Sequence, residues 1–187
     1  MINFSQPTVI PSVRRIRELD RALKSPSEYI LLSEVHIGNL QAFAAKCAAA
    51  NKKVLVHADL IGGFKPDREG IKLLRNMYHV SGVLTQSSQV VMTAKRARLE
   101  AIQRVFIMDS RSLERGLAAI AESRPDGIEV LPGILASRYK SQFEPWGATS
   151  TLIAGGMVTT QAEAEQLFAC GYRAITASSP ELWEARF

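Results

Sequence analysis

Two carboxylates, one arginine and two small-residue turns are the groups in this chain best suited to chemistry. Asp59 follows the apolar run Val54-Leu55-Val56-His57-Ala58, and Glu129 sits within Gly127-Ile128-Glu129-Val130-Leu131. Each is an acid in an otherwise apolar run, where a carboxylate without a partner is costly. Each therefore calls for a cation or a hydroxyl. Gln103-Arg104, in the run 102–108, offers that cation, and an arginine serves a carboxylate or a phosphate equally well. The second group is built from glycine and serine. Thr151-Leu152-Ile153-Ala154 ends in Gly155-Gly156, and Ala174-Ile175-Thr176-Ala177 ends in Ser178-Ser179-Pro180. Backbone N–H groups freed at such turns, ahead of a helix, hold a dianionic phosphate. Gly155 and Gly156 equally suit a plain turn, and Ser179 before Pro180 a plain N-cap. Carboxylates that accept hydroxyl hydrogen bonds, facing amides that grip a phosphate, describe a pocket for a small phosphorylated polyol.

The same residues can do acid–base work. Alternation along a strand puts His57 and Asp59 on one face. His57 also suits a hydrogen-bonded core position, and Asp109-Ser110 suits a helix start. The chain has no Cys/His cluster, no nucleophile elbow and no lysine in its strand candidates, which weakens metal, acyl-transfer and Schiff-base chemistry in turn. No catalytic residue, metal or cofactor is assigned.

The elements that must position these groups recur evenly. Short apolar runs at 8–10, 29–32, 54–58, 82–84, 102–108, 127–131, 151–154 and 174–177 read as strands. Helical periodicity fills the gaps: Ile16, Leu19 and Leu23; Leu40, Phe43, Ala44 and Cys47; Ile71, Leu74 and Met77 or Tyr78. It continues at Val90, Val91, Ala94 and Ala97, at Leu113, Leu117 and Ile120, and at Ala164, Leu167 and Phe168. The stretch 133–146 is the weakest helix. Thr160 and Glu163 have capping-box spacing. Strands alternating with single helices pair in parallel, and eight of them favour an α/β fold of one small (β/α)8 barrel over residues 1–187. Its site lies at the C-terminal ends of the strands, and its short loops suit a small ligand.

Composition adds bounds. The 187 residues carry 23 Lys+Arg against 18 Asp+Glu, a formal charge of +5, which suits an anionic partner. Cys47 and Cys170 are too isolated for a disulfide framework. With no signal peptide and no apolar run of membrane-spanning length, a cytoplasmic protein without a membrane partner is expected.

Several stretches together resemble the glycerol-3-phosphate-responsive antiterminators, regulators of glycerol-uptake operons. They are His36-Ile37-Gly38-Asn39-Leu40, His57-x-Asp59-Leu60-Ile61, Ile102-Gln103-Arg104 and Asp109-Ser110. Further on come Pro125-Asp126-Gly127-Ile128-Glu129-x-Leu131-Pro132-Gly133-Ile134, Ile153-Ala154-Gly155-Gly156 and Pro180-Glu181-Leu182-Trp183. The glutamate–leucine–proline–glycine and glutamine–arginine motifs are the most specific of these. The resemblance implies a triosephosphate-isomerase-type barrel that binds glycerol 3-phosphate without transforming it, and whose liganded form engages leader mRNA to suppress a terminator. It implies Asp59, Gln103, Arg104, Glu129, Gly155, Gly156, Ser178 and Ser179 as ligand residues. One position departs: Thr85-Gln86-Ser87 stands where the family reads serine–threonine–lysine, so Gln86 replaces a cation near the mouth. Two other readings stand beside this one. One is a barrel enzyme on a small phosphorylated substrate, with Asp59 and Glu129 as acid–base groups. The other is a sensor whose partner is a protein. A homo-oligomer is compatible with the sequence. Basic clusters at Arg14/Arg15/Arg17/Arg21/Lys24 and Lys95/Arg96/Arg98 suit RNA or plain solvated helix faces, and no aromatic stacking motif is present.

Overall fold

Eight strands form, one at each apolar run: β1 Thr8–Val13, β2 Tyr29–Leu32, β3 Lys53–His57, β4 Gly82–Thr85, β5 Glu100–Phe106, β6 Gly127–Leu131, β7 Thr151–Gly155 and β8 Ala174–Ala177. This computed structural model describes residues 2–187. Each strand pairs in parallel with the next, and β8 pairs with β1, so the sheet closes into a barrel. The helices are α1 Leu19–Ala22, α2 Ile37–Ala49, α3 Arg68–Asn76, α4 Ser88–Arg96, α5 Ser110–Ser123, α6 Gly133–Ala136, α7 Lys140–Phe143, α8 Gln161–Ala169 and α9 Pro180–Trp183. Side-chain caps start the longer ones: His36 with Asn39 on α2, Asp67 on α3, Ser87 on α4, Asp109 with Ser112 on α5, and the expected Thr160–Glu163 box on α8.

Several expectations shift. The stretch 133–146 is not one helix; it breaks into α6, α7 and a 3-10 turn at Glu144–Trp146 that starts around Pro145. Of its apolar side, Phe143 is buried while Ile134 faces solvent. Ile16 is exposed in a 3-10 turn, and Met77 is exposed just past α3. β3 ends at His57, so Asp59 lies in the loop and not on the strand. β5 ends at Phe106, leaving Met108 and Asp109 beyond it. β3 also starts one residue early, at Lys53, so a lysine does lie in a strand. It stands at the end away from the mouth, paired with Glu28 at 2.8 Å.

Alternation divides the core in two. Outward residues such as Val56, Val83, Val105 and Val130 pack under the helices. Inward residues Ile10, Tyr29, Leu31, Leu55, Leu84, Ile102, Ile153 and Ala174 fill the barrel, with Ile2 among them. Burying each large aliphatic side chain is worth roughly 1.5–3 kcal/mol. The N-terminal segment closes the floor: Phe4 lies edge-on to Tyr29 at 5.6 Å, and the Thr151 hydroxyl donates to the Ile2 carbonyl. Above this apolar layer the inward residues turn polar.

Candidate ligand site at the barrel mouth

Arg104 on β5 stands in register with Glu129 on β6, and both side chains point inward. Arg104 Nε donates to Glu129 Oε2 at 2.8 Å, and the Thr176 hydroxyl on β8 donates to Glu129 Oε1 at 2.6 Å. Glu129 is 1% exposed and the Arg104 side chain 12%, so this is a buried, hydrogen-bonded ion pair. Gly155 makes the room. A Cβ there would stand 2.3 Å from the Thr176 hydroxyl and 2.7 Å from Glu129 Oε1. His57 shares the layer. It is buried, its Nδ1 has no partner among the described residues, and its pKa is held down to about 4, by burial first and then by the Arg104 charge. It is therefore neutral near pH 7.

Over this cluster lies a cavity of about 290 Å³, bordered by His57, Arg104, Glu129, Gly156, Thr176 and Ser178, with Arg14 and Thr159 at its rim. That is near the lower end of the range for ligand pockets, about 300–1,000 Å³. Gly156 turns the chain at a φ of +73°, and its carbonyl accepts the Gly133 N–H at 2.7 Å. Buried Trp183 donates its indole N–H to the Ala177 carbonyl at 2.7 Å and fixes the end of β8. Among the described residues, the amides of Gly156, Ser178 and Ser179 donate to no protein acceptor. Ser179 lines an adjoining hollow with Arg14, Arg15, Glu34 and Glu181. It precedes Pro180 at the start of α9, as expected, but makes no side-chain cap bond.

The eight residues named from the sequence therefore separate. Arg104, Glu129, Gly156 and Ser178 border the cavity, Gly155 underlies it, and Ser179 stands next to it. Asp59 and Gln103 do not line it. Asp59, exposed in the loop after β3, accepts from the Thr85 hydroxyl at 2.8 Å and from the Gln86 N–H at 3.0 Å. Gln103 points outward because strand neighbours face opposite sides. Its amide donates to the Gln86 carbonyl at 2.8 Å, and its oxygen accepts from Ser123 at 3.3 Å. Both side chains pin the end of β4. Glu129 and Asp59 thus do not share the cavity as an acid–base pair.

Thr176 and Arg14 were not assigned to the site from sequence. Thr176 had a usable signal, being polar, inside an apolar strand and two residues before Ser178. Arg14 directly follows β1 and pairs with Glu34 at 3.4 Å. Among the described residues, no three His, Cys, Asp or Glu side chains gather to hold a metal, and no helix is long and apolar enough to cross a membrane.

Fold and site together define a (β/α)8 barrel with a small, charged cavity at the C-terminal ends of its strands. The chain belongs to the glycerol-3-phosphate responsive antiterminator family, whose profile matches residues 9–183. The glycerol uptake operon antiterminator regulatory protein of Listeria monocytogenes is 32% identical, superposes at a TM-score of 0.92, and is covered over 99% of both chains. An antiterminator-related protein of Thermotoga maritima is 26% identical at a TM-score of 0.83, over 95% of this chain and 98% of that one. YgcP, an uncharacterised protein of Escherichia coli K12, is 26% identical over 95% of this chain and 92% of its own length. An aldolase at 11% identity and a TM-score of 0.68 shares the fold alone.

Proposed function

We propose that this chain binds glycerol 3-phosphate at the barrel mouth and, when liganded, engages leader mRNA of glycerol-utilisation genes to prevent transcription termination. The observation that carries the ligand half is the buried Arg104–Glu129–Thr176 cluster beneath a 290 Å³ cavity edged by unpartnered amides. Gly156, Ser178 and Ser179 supply N–H donors for the phosphate, with Arg14 at the same rim. Glu129 and the remaining guanidinium N–H groups of Arg104 meet the hydroxyls, and neutral His57 offers a further partner. A cation at position 86 is not needed in this arrangement, because Arg14 and Arg104 already border the cavity. The RNA half rests on family membership. Ligand acts by binding one loop arrangement more tightly than another and so raising the RNA-competent population.

The test is calorimetric titration with glycerol 3-phosphate, with glycerol and inorganic phosphate as controls, alongside phosphorus NMR of the mixture over hours. Tight binding of the whole ligand, weak binding of either fragment and an unchanged phosphorus spectrum support the sensor. Turnover would establish the enzyme reading instead.

A further inference from the structure

Seven cations and two carboxylates lie between Lys65 and Arg98, an excess of five that equals the net charge of the whole chain. The rest of the molecule is balanced. Part of this excess lies on the outer wall, where α3 and α4 run side by side. Arg68 and Lys72 of α3 face Gln89, Thr93 and Arg96 of α4 across a cleft of about 470 Å³. From Arg68 to Lys72 the row on α3 is about 6 Å long at 1.5 Å rise per residue. Both carboxylates of the span are already held by its own lysines, Asp67 by Lys65 at 3.9 Å and Glu69 by Lys72 at 2.8 Å. Among the described residues, Arg68, Arg96 and Arg98 have no carboxylate within ion-pair distance. Lys95 is turned away, toward the Arg124 carbonyl and Asp126.

The other basic cluster is different. There Arg14, Arg15 and Arg21 each meet a glutamate: Glu34 at 3.4 Å, Glu18 at 3.7 Å and Glu184 at 2.8 Å. Its field is largely cancelled at the source.

Resting on the RNA half of the function proposed above, we infer that the cleft between α3 and α4 docks the sugar–phosphate backbone of an RNA strand. Its arginines present planar forks that match phosphate oxygens. Gln89 and Thr93 add polar contacts, and the cleft holds no aromatic ring on which a base could stack. The contact is therefore electrostatic and tolerant of sequence, and it sets position rather than base identity.

The probe is a fluorescein-labelled 20-nucleotide oligo(U), read by anisotropy across a salt series, with and without glycerol 3-phosphate. Compared with the wild-type chain are Arg68→Gln/Lys72→Gln/Arg96→Gln, the single Arg96→Gln, and Arg17→Gln/Lys24→Gln from the other cluster. Losing three phosphate contacts should flatten the dependence of log Kd on log salt by about 2, from about 0.7 per contact on a single strand. Affinity should fall at least tenfold, the single variant giving about a third of the slope change and the Arg17/Lys24 variant almost none. Glycerol 3-phosphate binding should be unchanged throughout, showing that the folded site survives. Equal slopes and affinities for the triple variant and wild type would overturn this surface while leaving the function standing. No oligo(U) binding by the wild type in either ligand state would overturn the cleft and count against RNA binding as well, and so would binding only to phosphatidylserine vesicles.

Discussion

Glu100 and Glu129 are inward-facing carboxylates on neighbouring strands, one at the floor of the barrel and one at its mouth. Glu129 has a full set of partners: an arginine on one oxygen, a hydroxyl on the other, and an open cavity above. Glu100 has one, the Tyr29 hydroxyl at 2.8 Å, and its other oxygen has no partner among the described residues. Burial, above all, pushes its pKa upward. The floor is sealed by Ile2 and Phe4; the mouth is left open. A buried acid is therefore not itself a site. What separates the two ends is a cation held close and space for a ligand to complete the network.

The strongest way to break this contrast is to remove the cation. Arg104→Ala strands Glu129 as a buried unpaired charge and should cost about 3–5 kcal/mol in urea unfolding. The double variant Arg104→Ala/Glu129→Leu should regain most of that stability while binding no glycerol 3-phosphate. Recovery of both would separate the cluster from the ligand.

The mouth should next reveal itself through pH. The folded-state pKa of His57 is depressed from 6.5 to about 4. The unfolded chain therefore binds the extra proton between those values, and stability falls as pH drops from about 6.5 toward 4. His57 accounts for up to about 3 kcal/mol of that fall. His57→Asn should flatten the stability profile over this window, measured by thermal melts at stepped pH. An identical profile would contradict the account.

Crowding the mouth sharpens the comparison. Gly155→Ala pushes a methyl group against Thr176 and Glu129 and should cost about 1–3 kcal/mol, with ligand affinity reduced at least tenfold in titration.

At the floor, Tyr29→Phe should cost about 1–3 kcal/mol through the lost donor to a buried acid. Ligand affinity should not move. Glu100 titrates in the opposite sense to His57: its pKa is raised, so its cost appears as pH rises above about 4.5. Glu100→Gln should remove that slope, again without touching the ligand.

All eight strands were legible because each is an apolar run bounded by turn residues, and the glycine and serine pairs were legible because they end such runs. Side-chain direction was not. Gln103 and Arg104 are adjacent and look like one motif, yet strand alternation sends the first outward to Gln86 and Ser123 and the second inward to Glu129. Asp59 seemed to face with His57 only while β3 was taken to run past His57. Arg14 was read as part of a helical basic face because Arg14, Arg15 and Arg17 precede a helical pattern. The backbone is in fact still extended at Arg15, with φ −121° and ψ 121°, so Arg14 belongs to the end of β1 and to the mouth. Such distinctions need the register across the barrel, which depends on residues far apart in the chain.

The most direct test of the mouth as the ligand site is a crystal structure of the chain with glycerol 3-phosphate. Phosphate density is expected against the amides of Gly156, Ser178 and Ser179, with the polyol hydroxyls within hydrogen-bond distance of Glu129 and Arg104. A ligand seated elsewhere, or turned with its phosphate on Glu129 and its hydroxyls on the glycine turn, would contradict it.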